Sequence, residues 1–139
     1  MEYRTFISHA WAYNETYWSI RVRLDTAATK YQDFSWKDYS IPDHNPILDQ
    51  KGGLLTGPRL LTKAIQTRIT QSSVVLVPAR MFASQSEWVV KEIDFAKSIG
   101  TRVIAVRSRG TLRTPVDLIQ KADVTVYSDY RELYKAITA

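Results

Sequence analysis

An α/β fold, built on a five-stranded parallel sheet with helices on both faces, is the expectation from this sequence. Three observations carry it. Strand-like segments alternate with segments of helical spacing along all 139 residues, the pattern of a parallel sheet joined by crossover helices. The run Ser73-Val74-Val75-Leu76-Val77-Pro78 is apolar without alternation, as in a strand covered on both faces. No repeat, linker or low-complexity tract divides the chain, so residues 1–139 are expected to form a single domain.

Taken in order, Tyr3-Arg4-Thr5-Phe6-Ile7-Ser8 is rich in β-formers and stops at a polar cluster, which makes it a first strand, central in the sheet. Ser8-His9-Ala10-Trp11 is the loop after it. Over residues 16–30, Tyr17, Ile20, Leu24, Ala27 and Ala28 recur at helical spacing, leaving Arg21, Arg23 and Lys30 largely outward. Phe34-Ser35-Trp36 is a short second strand. Pro42 and Pro46, set among Asp and Asn, exclude regular structure from residues 37–46, and the irregular stretch continues through Gly52-Gly53 to Gly57-Pro58. Loops of that length are usually functional or mobile. Leu60, Leu61, Ala64, Ile65 and Ile69 mark a second helix with Pro58 near its first turn.

The apolar third strand runs into a loop over residues 79–84. Ser84 and Glu87 have the spacing of a capping box at the start of a third helix over residues 85–99, which Gly100 closes as the residue after the C-cap. Arg102-Val103-Ile104-Ala105-Val106 is the fourth strand and residues 110–114 a loop. Pro115 opens a short helix or turn that ends near Lys121, Val124-Thr125-Val126 is the fifth strand, and residues 129–137 form a closing helix. The flavodoxin-like strand order 2-1-3-4-5 is expected, with ligands in the crevice beyond the strand ends, where the first and third strands part company.

Composition excludes several function classes. Zero cysteines remove disulfides, thiolate catalysis and cysteine zinc sites, and with His9 and His44 alone a histidine metal site is not expected. No apolar run approaches the eighteen residues of a membrane span, and a strand pattern begins too close to Met1 for a signal peptide; a soluble, cytoplasmic protein is expected. A net charge of +5 favours anionic partners, but the 19 Lys and Arg are dispersed, so nucleic acid is not the expected one. No Gly-rich turn follows a strand, which excludes a dinucleotide-binding fingerprint and a P-loop. Phosphotransfer of the receiver kind would need acids after the first strand and an Asp ending the third, where Ser8-His9 and Pro78-Ala79 stand. A Ser-His-acid triad is unsupported, because adjacent Ser8 and His9 at a strand end point to opposite sides.

One carboxylate is out of place. Glu92 has Trp88, Val89, Phe95 and Ala96 three and four positions away, so it lies on the packed face of its helix; Glu87 and Asp94, by contrast, have Lys91 or Lys97 at surface spacing. A desolvated carboxylate is expected to titrate high, and perturbed acids cluster at functional sites. A glutamate at the boundary of the buried face, reaching into water, is the structural alternative. A single acid suffices for cleavage of an N-glycosidic bond, where it stabilises an oxocarbenium-like cation or holds a ribose hydroxyl.

Three separated motifs resemble the TIR domains, specifically the TIR-like branch of bacterial antiphage systems such as Thoeris: Phe6-Ile7-Ser8-His9, Lys37-Asp38-Tyr39 with Pro42, and Ser86-Glu87-Trp88-Val89-Val90-Lys91-Glu92. The resemblance implies an NAD-cleaving enzyme of the glycohydrolase or ADP-ribosyl cyclase type, with Glu92 catalytic and NAD as substrate, so that no resident cofactor is called for. It implies a substrate site formed by Phe6, Ser8 and His9, by Asp38, by Arg80, Met81 and Ser84, and by Trp88 as packing support. It further implies a cyclic or modified ADP-ribose second messenger for a separate effector protein, a phage-derived trigger, and self-association. Core packing of Phe6 and Trp88, capping by Ser84, solvation of Arg80 and a turn-forming Asp38 are the structural alternatives. The long segment after the second strand lacks the Pro-Gly that many TIR domains carry there. A non-catalytic TIR-like interaction module and a nucleoside glycosyl transferase on a similar fold remain open as other functions.

Overall fold

A computed structural model describes residues 2–8, 14–40, 58–84, 86–107 and 115–139. Its elements are β1 (Glu2–Ile7), α1 (Asn14–Lys30), β2 (Ser35–Asp38), α2 (Pro58–Gln71), β3 (Val74–Pro78), α3 (Ala79–Ser84), α4 (Ser86–Ser98), β4 (Arg102–Arg107), α5 (Val116–Lys121), β5 (Val124–Tyr127) and α6 (Tyr130–Thr138). The five strands form one parallel sheet in the order β2-β1-β3-β4-β5, as expected.

Alternation along the strands divides the core between the two faces of the sheet. Phe6, Val75, Val77, Val103 and Ala105 meet Ile65 and Ile69 of α2, Val89, Ile93 and Ala96 of α4, and Leu118 of α5. Ile7, Val74, Leu76, Ile104 and Val106 meet Tyr17, Ile20, Leu24 and Ala27 of α1 with Leu133, Ala136 and Ile137 of α6. Every residue of β3 is buried, which is why its sequence shows no alternation.

Two segments depart from expectation. Residues 79–84 form a helix, α3, and not a loop; the chain turns helical directly after Pro78, and six residues are too few to show a period. Lys37 and Asp38 belong to β2, where they pair with Arg4 and Thr5, although their polarity suggested loop. β2 lies at the sheet edge, and a half-exposed edge strand tolerates polar side chains. The long segment after it, residues 41–57, lies outside the described residues, as do residues 108–114 and with them the loop expected at 110–114.

Gly100 ends α4 as expected. Its φ is +78°, its N–H donates to the Lys97 carbonyl and the Thr101 N–H donates to that of Ala96, the pair of bonds that defines a Schellman cap. α6 is capped by Asp129, whose side chain accepts from the Arg131 N–H.

Candidate functional site

α4 packs against the sheet through Val89, Ile93 and Ala96, all fully buried, and Glu92 lies on the same face with 6% of its surface exposed. Of its four apolar helical neighbours, Val89 and Ala96 are buried and Phe95 packs at the rim of the cluster. Ser8 follows β1, and its side chain alternates to the side of Phe6, towards α4. Its Oγ donates to Glu92 Oε1 over 3.0 Å, and Ser8 is itself 1% exposed. A buried carboxylate is costly unless hydrogen-bonded, and a bond to a charged group stabilises by about 1.5–3 kcal/mol. Ser8 and Glu92 therefore form a matched pair at the carboxyl ends of β1 and β3, where this topology places ligands.

The other residues of the expected site divide. Phe6, 2% exposed, belongs to the core cluster that includes Val89 and Ile93. Arg80 is exposed on α3. Ser84 ends α3 and so precedes the start of α4 by one intervening residue. Its side chain, those of Met81, Glu87 and Trp88, and the whole of His9 lie outside the described residues, which also places the proposed capping box there.

Asp38, at the end of β2, has a committed carboxylate. Oδ1 accepts the Ser40 N–H over 2.8 Å, Oδ2 accepts the Tyr17 hydroxyl, and Arg21 Nε stands 3.8 Å from Oδ2. Burial, followed by the hydrogen bond to Asp38 and the negative charge of that group, pushes the Tyr17 phenol far above its ordinary range. Tyr17 is thereby kept as a proton donor. The Arg21 guanidinium also lies 4.8 Å from the Trp18 ring. Ser40 is buried, and its Oγ accepts the Ile7 N–H over 2.7 Å. Helical spacing finds Tyr17 as a core position but is blind to its hydroxyl. The signal for Ser40 was its place two residues after an Asp, where the Asp side chain takes the backbone N–H of a turn.

A cavity of 210 Å³ opens at the strand ends beside α1, lined by Glu15, Thr16, Ser19 and Ile20 of α1, Pro78, Arg80, Val106 and Ser128. Ile20 and Val106 belong to the α1–α6 side of the core, so this cavity and Glu92 lie over opposite faces of the sheet. Arg23 braces the wall, with Nε donating to the Ser128 carbonyl over 2.7 Å and Nη1 to Ser19. Sequence spacing did not reveal this cavity, because its lining comes from four separate stretches of chain. Among the described residues no group of three or more His, Asp or Glu could hold a metal ion, and no helix is long and apolar enough to cross a membrane.

Two solved structures share this fold. A CMP N-glycosidase of Clostridium botulinum, BcmB, is 11% identical over 98% of this chain and 99% of its own, with a TM-score of 0.52. A 3-dehydroquinate dehydratase-like protein from Bifidobacterium longum is 12% identical over 99% and 93%, with a TM-score of 0.51. At these identities the likeness is one of fold. No curated protein matches the sequence. The profile of the family described as Thoeris protein ThsB, TIR-like domain, matches residues 6–113, a span that includes the end of β1, β2 and the helix bearing Glu92.

Proposed function

The chain belongs to the Thoeris ThsB TIR-like domain family, and from that premise we propose that it is an NAD-cleaving enzyme that breaks the nicotinamide–ribose bond with Glu92. The observation that carries this is the buried Ser8–Glu92 pair at the carboxyl ends of β1 and β3. Nicotinamide leaves NAD as a neutral ring, because the electrons of the breaking C–N bond discharge its pyridinium, so no general acid is needed. The developing positive charge on the ribose is what a fixed carboxylate stabilises. Ser8 holds that carboxylate so that little reorganisation is needed as the bond breaks. Water captures the cation in hydrolysis, and an internal nucleophile of the same molecule captures it in cyclisation.

Arg80 and the cavity beside it supply a second subsite. At 210 Å³ it is smaller than the roughly 300–1,000 Å³ that encloses a drug-sized ligand, which suits one portion of a dinucleotide lying across the strand ends. Family membership supports the wider reading: a single TIR-like domain in the cytoplasm, needing no resident cofactor, answers a phage-derived trigger, self-associates, and makes a cyclic or modified ADP-ribose messenger for a separate effector. The roles of Phe6, Asp38, Met81, Ser84, His9 and Trp88 in lining the site belong to the same proposal.

The test is nicotinamide release from NAD by wild type and Glu92→Gln in extracts of phage-challenged cells, with product masses identified by mass spectrometry. Wild type is expected to exceed the variant by a hundred-fold or more, in the range of roughly 10²–10³ seen when a charge-stabilising group is lost. Equal release sinks the assignment.

A second reading rests on the burial of Glu92: a carboxylate 6% exposed and held by a serine also meets a purely structural need. A non-catalytic interaction module would then be the function. Thermal shift with ADP-ribose separates the two, since ligand binding stabilises the folded enzyme increasingly as ligand concentration rises above its Kd and the module is not stabilised. Because the same fold carries a CMP N-glycosidase, a panel of nucleosides and CMP included beside NAD would expose nucleoside chemistry.

A further inference from the structure

Hydrogen bonds run from the turn after β2 to the Ile7 N–H, and the next residue of the chain, Ser8, holds Glu92. The last paired residues of β1 and β2 are Thr5 and Asp38, and the Tyr39 N–H still donates to the Thr5 carbonyl over 2.9 Å. Beyond this the β2 ladder stops, and the buried Ile7 N–H is satisfied by the Ser40 hydroxyl. On the other flank the Ser8 N–H donates to the Leu76 carbonyl of β3 over 2.9 Å. The end of β1 is thus bonded to a strand on one side and to the Ser40 side chain on the other. Ser40 is fixed in turn by Asp38 Oδ1, and Asp38 by Tyr17 of α1 with Arg21 beside it.

We propose that Ser40, oriented by Asp38 and Tyr17, is a positioning residue for the Ser8–Glu92 pair, fixing the end of β1 so that the Ser8 hydroxyl meets the carboxylate. Asp38 acts here through Ser40, and its carboxylate is already engaged by protein donors. In catalytic terms the inference rests on the glycosidic role proposed for Glu92. Its geometry does not.

The experiment compares Ser40→Ala, Ser40→Thr, Ser8→Ala and the Ser8→Ala/Ser40→Ala double variant. Ser40→Ala is expected to lower kcat for nicotinamide release roughly ten-fold with KM little changed, as for a small misplacement of a catalytic group. Ser40→Thr restores it by restoring the hydroxyl. In the Ser8→Ala background Ser40→Ala adds no further loss, because the contact it serves is already gone. An equal fold-loss in both backgrounds, or none in either, overturns the proposal.

Carboxyl-carbon NMR titration of Glu92 gives a readout independent of turnover. Weakening a donor to the charged form raises a carboxyl midpoint, so Ser40→Ala moves the Glu92 midpoint upward, in the same direction as Ser8→Ala; an unmoved midpoint overturns the inference. Tyr17→Phe, which keeps the ring in the core, gives a smaller shift of the same sign should Ser40→Ala fail to fold. Wild-type release no greater than that of Glu92→Gln removes the glycosidic reading, and the NMR comparison still decides the positioning.

Discussion

At the scale of single residues, the molecule turns on a carboxylate that has left water. Its cost is offset by Ser8, so Ser8→Ala should destabilise the fold by about 1–3 kcal/mol, the penalty for removing a partner from a buried polar group; urea denaturation measures it, and an unchanged midpoint would show Glu92 to be satisfied elsewhere. Tyr17 gives a pH prediction with a definite sign. Its phenol titrates near 10 when unfolded and far higher when folded, so above pH 10 the unfolded chain has released a proton that the folded one keeps. The stability due to Tyr17 is full below pH 10 and falls as pH rises beyond it. Thermal melts at pH 9 and 11 should show a steeper loss for wild type than for Tyr17→Phe. Glu92 was legible in the sequence because four apolar neighbours at helical spacing are a local pattern. The resemblance put Ser8 in the same site, but the contact between the two was not legible, since it spans 84 positions and no periodicity connects them.

Elements were legible where their period is long or their burial complete. β3 announces itself with five buried residues in succession, and α1, 17 residues long, by the apolar spacing from Tyr17 to Ala28. α3 and the second half of β2 were hidden for opposite reasons: one is a single short helix without a repeat, and the other is an edge strand whose Lys37 and Asp38 look like loop. Caps make the sharpest predictions at this scale. A Cβ at Gly100 would meet nothing within 4 Å, so Gly100→Ala tests the backbone alone; at a φ of +78° it should cost about 1–2 kcal/mol in urea denaturation, and Gly100→Asn less. Asp129→Ala should destabilise by about 0.5–2 kcal/mol through loss of the α6 cap.

For the whole molecule, the sheet separates two cores that ought to respond differently. Leu24 and Ile93 are both fully buried, one on the α1–α6 face and the other beside Glu92. Leu24→Ala and Ile93→Ala should each cost about 2–5 kcal/mol of stability, read by denaturant titration. Nicotinamide release, measured well below both melting temperatures, should fall disproportionately for Ile93→Ala, since Ile93 packs beside the carboxylate; a matching fall for Leu24→Ala would mean that the setting of Glu92 depends equally on both faces. The parallel sheet followed from alternation of elements and one fully buried run, while the depth of the site, the cavity at the strand ends and the Asp38–Ser40 brace needed the three-dimensional chain. The same long-range contact also bears on timing. Ser8 is made early on the ribosome and Glu92 only after β2, α2 and β3 have followed, and contacts so distant in sequence form late in folding. A nascent or cleaved chain lacking α4 therefore has no paired carboxylate, and on the proposed reading unfinished copies leave NAD untouched.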